Sequence, residues 1–278
     1  AFGWLTSYAF INNWIGPMGR IVLGLVAGVL IVGLGEWRIR KFNHQGAIFM
    51  ALGAAVVLVS LFAARNAYDF FTPLTALIGM FAAAAYLSIA SVRHKNNDLS
   101  IVGLLMGGLA PLLINSPETN FTGLFSYLFV LCSGNLLVMQ ITKWKVLPFL
   151  ALLIIIFYGG FSNPAIVNEQ EISLVFAVLF GLLFYSCNLF NVWTEKKSTG
   201  LDIALGIGSA ILTLGWLNDT VPETWKTGIF ALLSLVFFGL AYLLYKRMSE
   251  ENISAVYLLT GAVAMGLALS WELSGTEL

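Results

Sequence analysis

Charge is what this 278-residue chain has least of. Charged residues make up 10% of it and the formal net charge is +0. No basic stripe with interleaved aromatics runs along it, so nucleic acid is not an expected partner. Cysteine is nearly absent. Cys132 and Cys187 stand singly inside apolar stretches without CxxC spacing, which excludes a disulfide framework or zinc cluster and leaves them as small packing residues. The two histidines, His44 and His94, fall in basic turns with no acidic or cysteine partner at ligand spacing, so no metal site is expected. GxxxxGK[ST], HExxH and GxSxG are missing, and no apolar run holds a close pair of carboxylates. Glu169 and Glu171, in FSNPAIVNEQE, form the one local acidic pair in an outer loop, and they read as favourable charge at the start of the next helix. The chain is therefore not expected to be an enzyme and is assigned no catalytic residue, cofactor or metal.

Apolar residues are what it has. They make up 59% of the chain and the mean hydropathy is +0.89, far from the balance of a soluble domain. The expected fold class is an all-α membrane protein, a single polytopic transmembrane domain over residues 1–278. Apolar runs occupy residues 21–35, 46–64, 72–92, 99–114, 121–142, 146–161, 172–193, 201–217, 226–245 and 253–271. Set against the ~17–25 residues that cross a bilayer, they amount to about ten complete transmembrane helices. A partial one precedes them at 1–12, where the chain reads as an excerpt beginning partway through a helix, with no signal peptide.

The stretch Asp98–Pro117, DLSIVGLLMGGLAPLLINSP, shows the local logic. Asp98 is placed to cap a helix, and Gly103 and Gly107 fall one turn apart on one face, where a second backbone can approach closely. Pro111 removes an intrahelical hydrogen bond, so the helix should bend or end near Leu113, with Asn115, Ser116 and Pro117 as the turn that follows. Gly24 and Gly28 have the same four-residue spacing and are assigned the same packing role.

Loop charge alternates. Arg38, Arg40, Lys41, Arg93, Lys95, Lys143, Lys145, Lys196, Lys197, Lys246 and Arg247 fall in one set of alternate loops, leaving only Arg20, Arg65 and Lys226 of the 14 basic residues for the other. The first set should be cytoplasmic, with residues 13–20 and the C-terminal end outside, Trp14, Trp216, Trp225 and Trp271 at the outer interface and Trp37, Trp144 and Trp193 at the inner one. The basic turns recur roughly every fifty residues, near 41, 95, 144, 197 and 248, and after most of them comes a helix-start residue, Asp98, Pro148, Asp202 or Asn252. The spans thus read as repeated helical hairpins, about 21–64, 72–114, 121–161, 172–217 and 226–271.

Polar side chains at membrane depth cost free energy unless paired. Asn135 and Gln140 on one span and Asn188 and Asn191 on another are the candidates for a polar cavity, with Ser126, Ser133 and Thr213 as weaker members. Cys132 lies three residues before Asn135 and Cys187 four before Asn191, so each cysteine shares its asparagine's face. Ordinary helix-to-helix hydrogen bonding, worth on the order of 1 kcal/mol each, would also account for these residues.

Three stretches, NNWIGPMGRIVLGLVAGVLIVGLGEW (Asn12–Trp37), DLSIVGLLMGGLAPLLINSP (Asp98–Pro117) and LFSYLFVLCSGNLLV (Leu124–Val138), resemble the bacterial predicted-membrane-protein family called domain of unknown function 2339. The resemblance is best from Tyr8 to about Gly160, and Ser7 stands where it leads one to expect a lysine. It implies a bacterial inner-membrane protein that is longer at both ends, with a soluble N-terminal part, further helices and no assigned activity.

Two functions follow as expectations. One is a permease-like or lipid- and amphiphile-handling protein without buried charged ion-coupling residues, because short, glycine-rich, partly broken helices in repeats suit a moving transmembrane path. The alternative is a structural scaffold for other envelope proteins. The expected partners are the lipid bilayer, an amphipathic or lipid ligand, and envelope proteins.

Overall fold

The computed structural model describes residues 16–114, 121–161, 170–195, 197–248 and 251–275, and every regular element among them is helical. The ten helices are α1 (Pro17–Ile39), α2 (Asn43–Asn66), α3 (Pro73–His94), α4 (Asn97–Leu113), α5 (Phe121–Thr142), α6 (Val146–Phe161), α7 (Gln170–Glu195), α8 (Gly200–Thr220), α9 (Glu223–Met248) and α10 (Glu251–Gly275). Eight are long and apolar enough to cross a membrane, and α4 and α6 are shorter apolar helices. Each expected span from 21–35 onward has its helix. The helices run a few residues past the apolar runs because their polar terminal turns continue the backbone hydrogen bonding, as in α1, which carries Arg20 at one end and Glu36 and Arg38 at the other. The expected partial span at 1–12, Trp14, the turn at Asn115–Pro117, Glu169 and Lys196 lie outside the described residues.

The first unit, Ala1–Thr142, contains α1–α5, and the second, Lys143–Leu278, contains α6–α10. In the first, α1 lies along α2, α2 touches α3 and α4, and α5 packs on both α3 and α4. In the second, α8 is the hub, touching α6, α7 and α10, while α9 lies along α10.

Glycine explains the closeness of α1 and α2. A methyl group on Gly53 would sit 2.6 Å from the Val32 backbone nitrogen and 2.8 Å from the Gly28 carbonyl oxygen, and one on Gly28 would sit 3.0 Å from the Gly53 oxygen. Gly35 against Met50, Gly46 against Ile39 and Gly24 against Ser60 continue the seam. Without a solvent-driven hydrophobic effect in lipid, such close dispersion contact is what holds two helices together. Gly103 and Gly107 work alike. A methyl on Gly103 would meet the Ala84 carbonyl of α3 at 3.0 Å, and one on Gly107 would meet Leu131 of α5 at 2.6 Å.

Pro111 stays inside α4, which ends at Leu113. Having no N–H, it leaves the Gly107 carbonyl without its intrahelical donor. The Tyr127 hydroxyl of α5 donates to that same oxygen at 2.7 Å, and Asn66 Nδ2 of α2 donates to the Leu113 carbonyl at 2.7 Å. The start of α4 differs from expectation. The cap is Asn96, whose side chain accepts from the Leu99 N–H at 3.3 Å, because Lys95 turns left-handed (φ 50°) to end α3 and leaves Asn96 extended. Asp98 sits in the first turn, 3.6 Å from His44 Nδ1.

Candidate functional site

Polar atoms converge most densely at the end of the second unit where the 143–145 turn, the end of α7 and the start of α8 meet. Thr199 precedes α8, and Asp202, three residues on, folds its carboxylate back. Oδ2 accepts from the Thr199 N–H at 2.8 Å, the Thr199 hydroxyl at 2.7 Å and Lys145 Nζ at 2.8 Å. This reciprocal turn places a negative group on the positive end of α8. Lys145 also meets Glu195 Oε2 of α7 at 2.6 Å, and its side chain is 11% exposed against 2% for Asp202. Burial alone would lower the Lys145 ammonium, but its hydrogen bonds to Asp202 and Glu195 and their charges overturn that and hold it above its ordinary value of 10.5.

From Asp202 the polar chain runs inward. Asn188 Nδ2 donates to the Asp202 carbonyl at 2.7 Å, and Asn188 Oδ1 accepts from the Tyr257 hydroxyl of α10 at 3.0 Å. Asn188 is fully buried and Tyr257 is 1% exposed. The tyrosine ring packs on Tyr185 and Phe237, with centroids 5.9 and 6.3 Å away. One set of hydrogen bonds therefore joins the 143–145 turn, α7, α8 and α10. The charge buried here is a paired one. Asp202 reads in the sequence as a helix-start residue, and it is that, but it is also the buried partner of a lysine 57 positions earlier.

The other sequence candidates are distributed as follows. Asn191 is buried, its Nδ2 3.9 Å from Cys187 Sγ on the turn before and its Oδ1 without a donor. In the first unit Asn135 is buried, its Nδ2 donating to the Leu131 carbonyl of its own helix at 2.9 Å and its Oδ1 likewise unpaired. Gln140, five residues further toward the end of α5, is exposed. Trp216 is buried within the unit. Its indole N–H donates to Ser173 Oγ at 2.8 Å and its ring stacks on Phe180, which satisfies its polar atom inside the unit. The histidines also have acidic neighbours after all. His94 Nε2 lies 3.0 Å from Glu36 Oε1, which Arg93 meets at 3.3 Å, and His44 faces Asp98. These carboxylates come from other helices, so sequence spacing could not reveal them. Among the described residues no group of three metal-ligating side chains forms.

Open volume lies elsewhere. A groove of about 490 Å³ runs between α8 and α10, walled by apolar side chains such as Ile207, Ile211, Leu214, Leu259 and Val263, with Asn218 at one end. Ile211 and Leu259 are 66% and 62% exposed, so the groove opens sideways. At its Asn218 end, the Asn218 oxygen accepts from Trp271 Nε1 at 3.0 Å, and Lys226 Nζ stands 3.7 Å above the Trp271 ring. None of Asn135, Gln140, Asn188 and Asn191 lines it. The signal that could have led to it is the small-residue face of α8, where Ala210 and Gly215 leave room between larger neighbours.

No curated protein and no solved structure matches the chain. One family model does, that of a predicted membrane protein (DUF2339), over residues 1–276. The resemblance first carried by three short stretches thus extends through the later helices as well, and this multi-pass membrane protein belongs to the DUF2339 family.

Proposed function

We propose that this is a lipid- or amphiphile-handling protein of the bacterial inner membrane, permease-like in its repeated hairpins and not an enzyme. The observation that carries the reading is the α8/α10 groove, apolar and open to the side. Ligand sites are concave and mainly apolar with a few placed polar groups, and in a membrane a side opening admits molecules from the bilayer. The buried Asn188 and Asp202 are engaged with neighbouring helices, which argues against a hydrophilic solute moving past them. The basic turns between α1 and α2, α3 and α4, α5 and α6, α7 and α8, and α9 and α10 face the cytoplasm, and residues 13–20 and the C-terminal end lie outside. Pairing within α1/α2, α3/α4, α7/α8 and α9/α10 supports the hairpin repeat.

The test is transbilayer movement of a fluorescent short-chain phospholipid in vesicles containing the purified protein. Movement faster than in protein-free vesicles is expected. Equal rates would sink the handling reading in favour of an envelope scaffold, which the backbone-close packing of α1 on α2 independently suits.

A further inference from the structure

The two ends of α10 are held in different ways. Near its start, Ile253 and Tyr257 are buried in one apolar cluster with Val192 of α7 and with Phe237, Ala241 and Leu244 of α9. Gly206 of α8 faces the same turns, since a methyl group on it would sit 3.1 Å from Val256 Cγ1 and 3.7 Å from Ile253 Cδ1. The Tyr257 hydroxyl adds its hydrogen bond to Asn188, which in turn donates to the Asp202 carbonyl. This end is fixed to α7, α8 and α9 together.

Trp271 lies fourteen residues after Tyr257, about 21 Å along the helix at 1.5 Å per residue. There Trp271 and Asn218 are both half-buried, and the bond from the indole N–H to the Asn218 oxygen crosses from α10 to α8 at 3.0 Å. Lys226 of α9 rests on the same ring, but α9 lies along α10, so that contact sits within the pair and does not tie it to α8. Between the two ends the helices are parted by the groove. Ala210 and Gly215 line it, and a Cβ on Gly215 meets nothing within 4 Å.

We propose that α10 is a hinged wall of this groove, fixed near Tyr257 and latched to α8 by the Trp271–Asn218 bond. A packed cluster resists separation over its whole contact area, whereas one neutral hydrogen bond contributes so little net stability that it breaks and re-forms in the native state. Val221 and Pro222 join α8 to α9 at the latched end, which keeps α9 tethered there. Release of the latch therefore turns α10, together with α9, about that connection and widens the groove from the Asn218 end, a hinge motion absorbed by a few element-terminal residues. The device concerns helix spacing and goes beyond the lipid-handling reading, because it stands whether or not lipid moves.

The experiment is double electron–electron resonance on the full chain in lipid nanodiscs, in a Cys132→Ala, Cys187→Ala background. One pair of spin labels, on Asp219→Cys and Leu273→Cys, reports the latched end, and a second, on Thr194→Cys and Asn252→Cys, reports the fixed end, all four positions being exposed. Trp271→Phe keeps a ring and removes the donor. A longer-distance population of the 219/273 pair should rise about fivefold in Trp271→Phe, the shift that one net hydrogen bond supplies, while the 194/252 distance stays unchanged. Asn218→Ala should have the same effect, and the double variant should go no further than either single one, because both remove one bond. An unchanged 219/273 distance in both variants, equal broadening of the two pairs, or additive effects of the two substitutions would each overturn the latch.

Discussion

The two units are held together by different physics. In the first, α1 and α2 approach until glycines on one helix face backbone atoms of the other, and polar contacts gather at the helix ends, as with Glu36, Arg93 and His94. In the second, a buried ion pair and an asparagine–tyrosine link tie four segments together, and large aromatic rings fill the space around them. Shape complementarity tolerates no added volume, whereas a polar network tolerates no missing partner. The difference teaches where each unit is brittle.

The two native cysteines report on it separately, because Cys132 is buried in the first unit and Cys187 in the second. The largest effect is expected for Asp202→Ala, which removes three hydrogen bonds to one oxygen and leaves Lys145 with Glu195 only. Breaking a buried pair costs about 3–5 kcal/mol, and the remaining Glu195 places this case near about 3 kcal/mol. Heating should expose Cys187 to maleimide well before Cys132, and simultaneous exposure of both would break the distinction. Next is Gly53→Leu, for which overpacking costs about 1–3 kcal/mol. Here Cys132 should become reactive first, and an unchanged profile would mean that the α1/α2 seam is looser than its distances say. Smallest is Tyr127→Phe, which keeps the ring and removes the donor to Gly107, at about 1 kcal/mol. A modest drop in the temperature of Cys132 exposure is expected, and no drop at all would show that the Gly107 carbonyl does not depend on that hydroxyl.

Much of the fold is readable from composition and periodicity, because apolar runs of spanning length admit few alternatives in lipid, and all ten runs from residue 21 onward became helices. Proline and glycine also carried local information, as Pro111 and the Gly103/Gly107 face show. What escaped is long-range. Lys145 and Asp202 are 57 residues apart, and His94 and Glu36 are 58 apart. No spacing rule joins such residues, since each pair depends on how helices stack. Asp98 was mistaken for the cap because Asn96 and Asn97 are equally plausible by residue type, and only the left-handed Lys95 decides among them. Nor could spacing show that the Trp216 indole meets Ser173, 43 residues away. The candidate groove was invisible for the same reason, being a gap between two helices and not a property of either.

The tyrosine that completes α4 has a consequence for synthesis. Pro111 removes the ordinary intrahelical donor to Gly107, and Tyr127, which donates there, comes twenty residues later. Until α5 has been made, α4 lacks the Tyr127 hydroxyl from which its Gly107 carbonyl accepts in the fold. The order of translation is thus also an order of completion, in which α4 is finished only by the arrival of its successor.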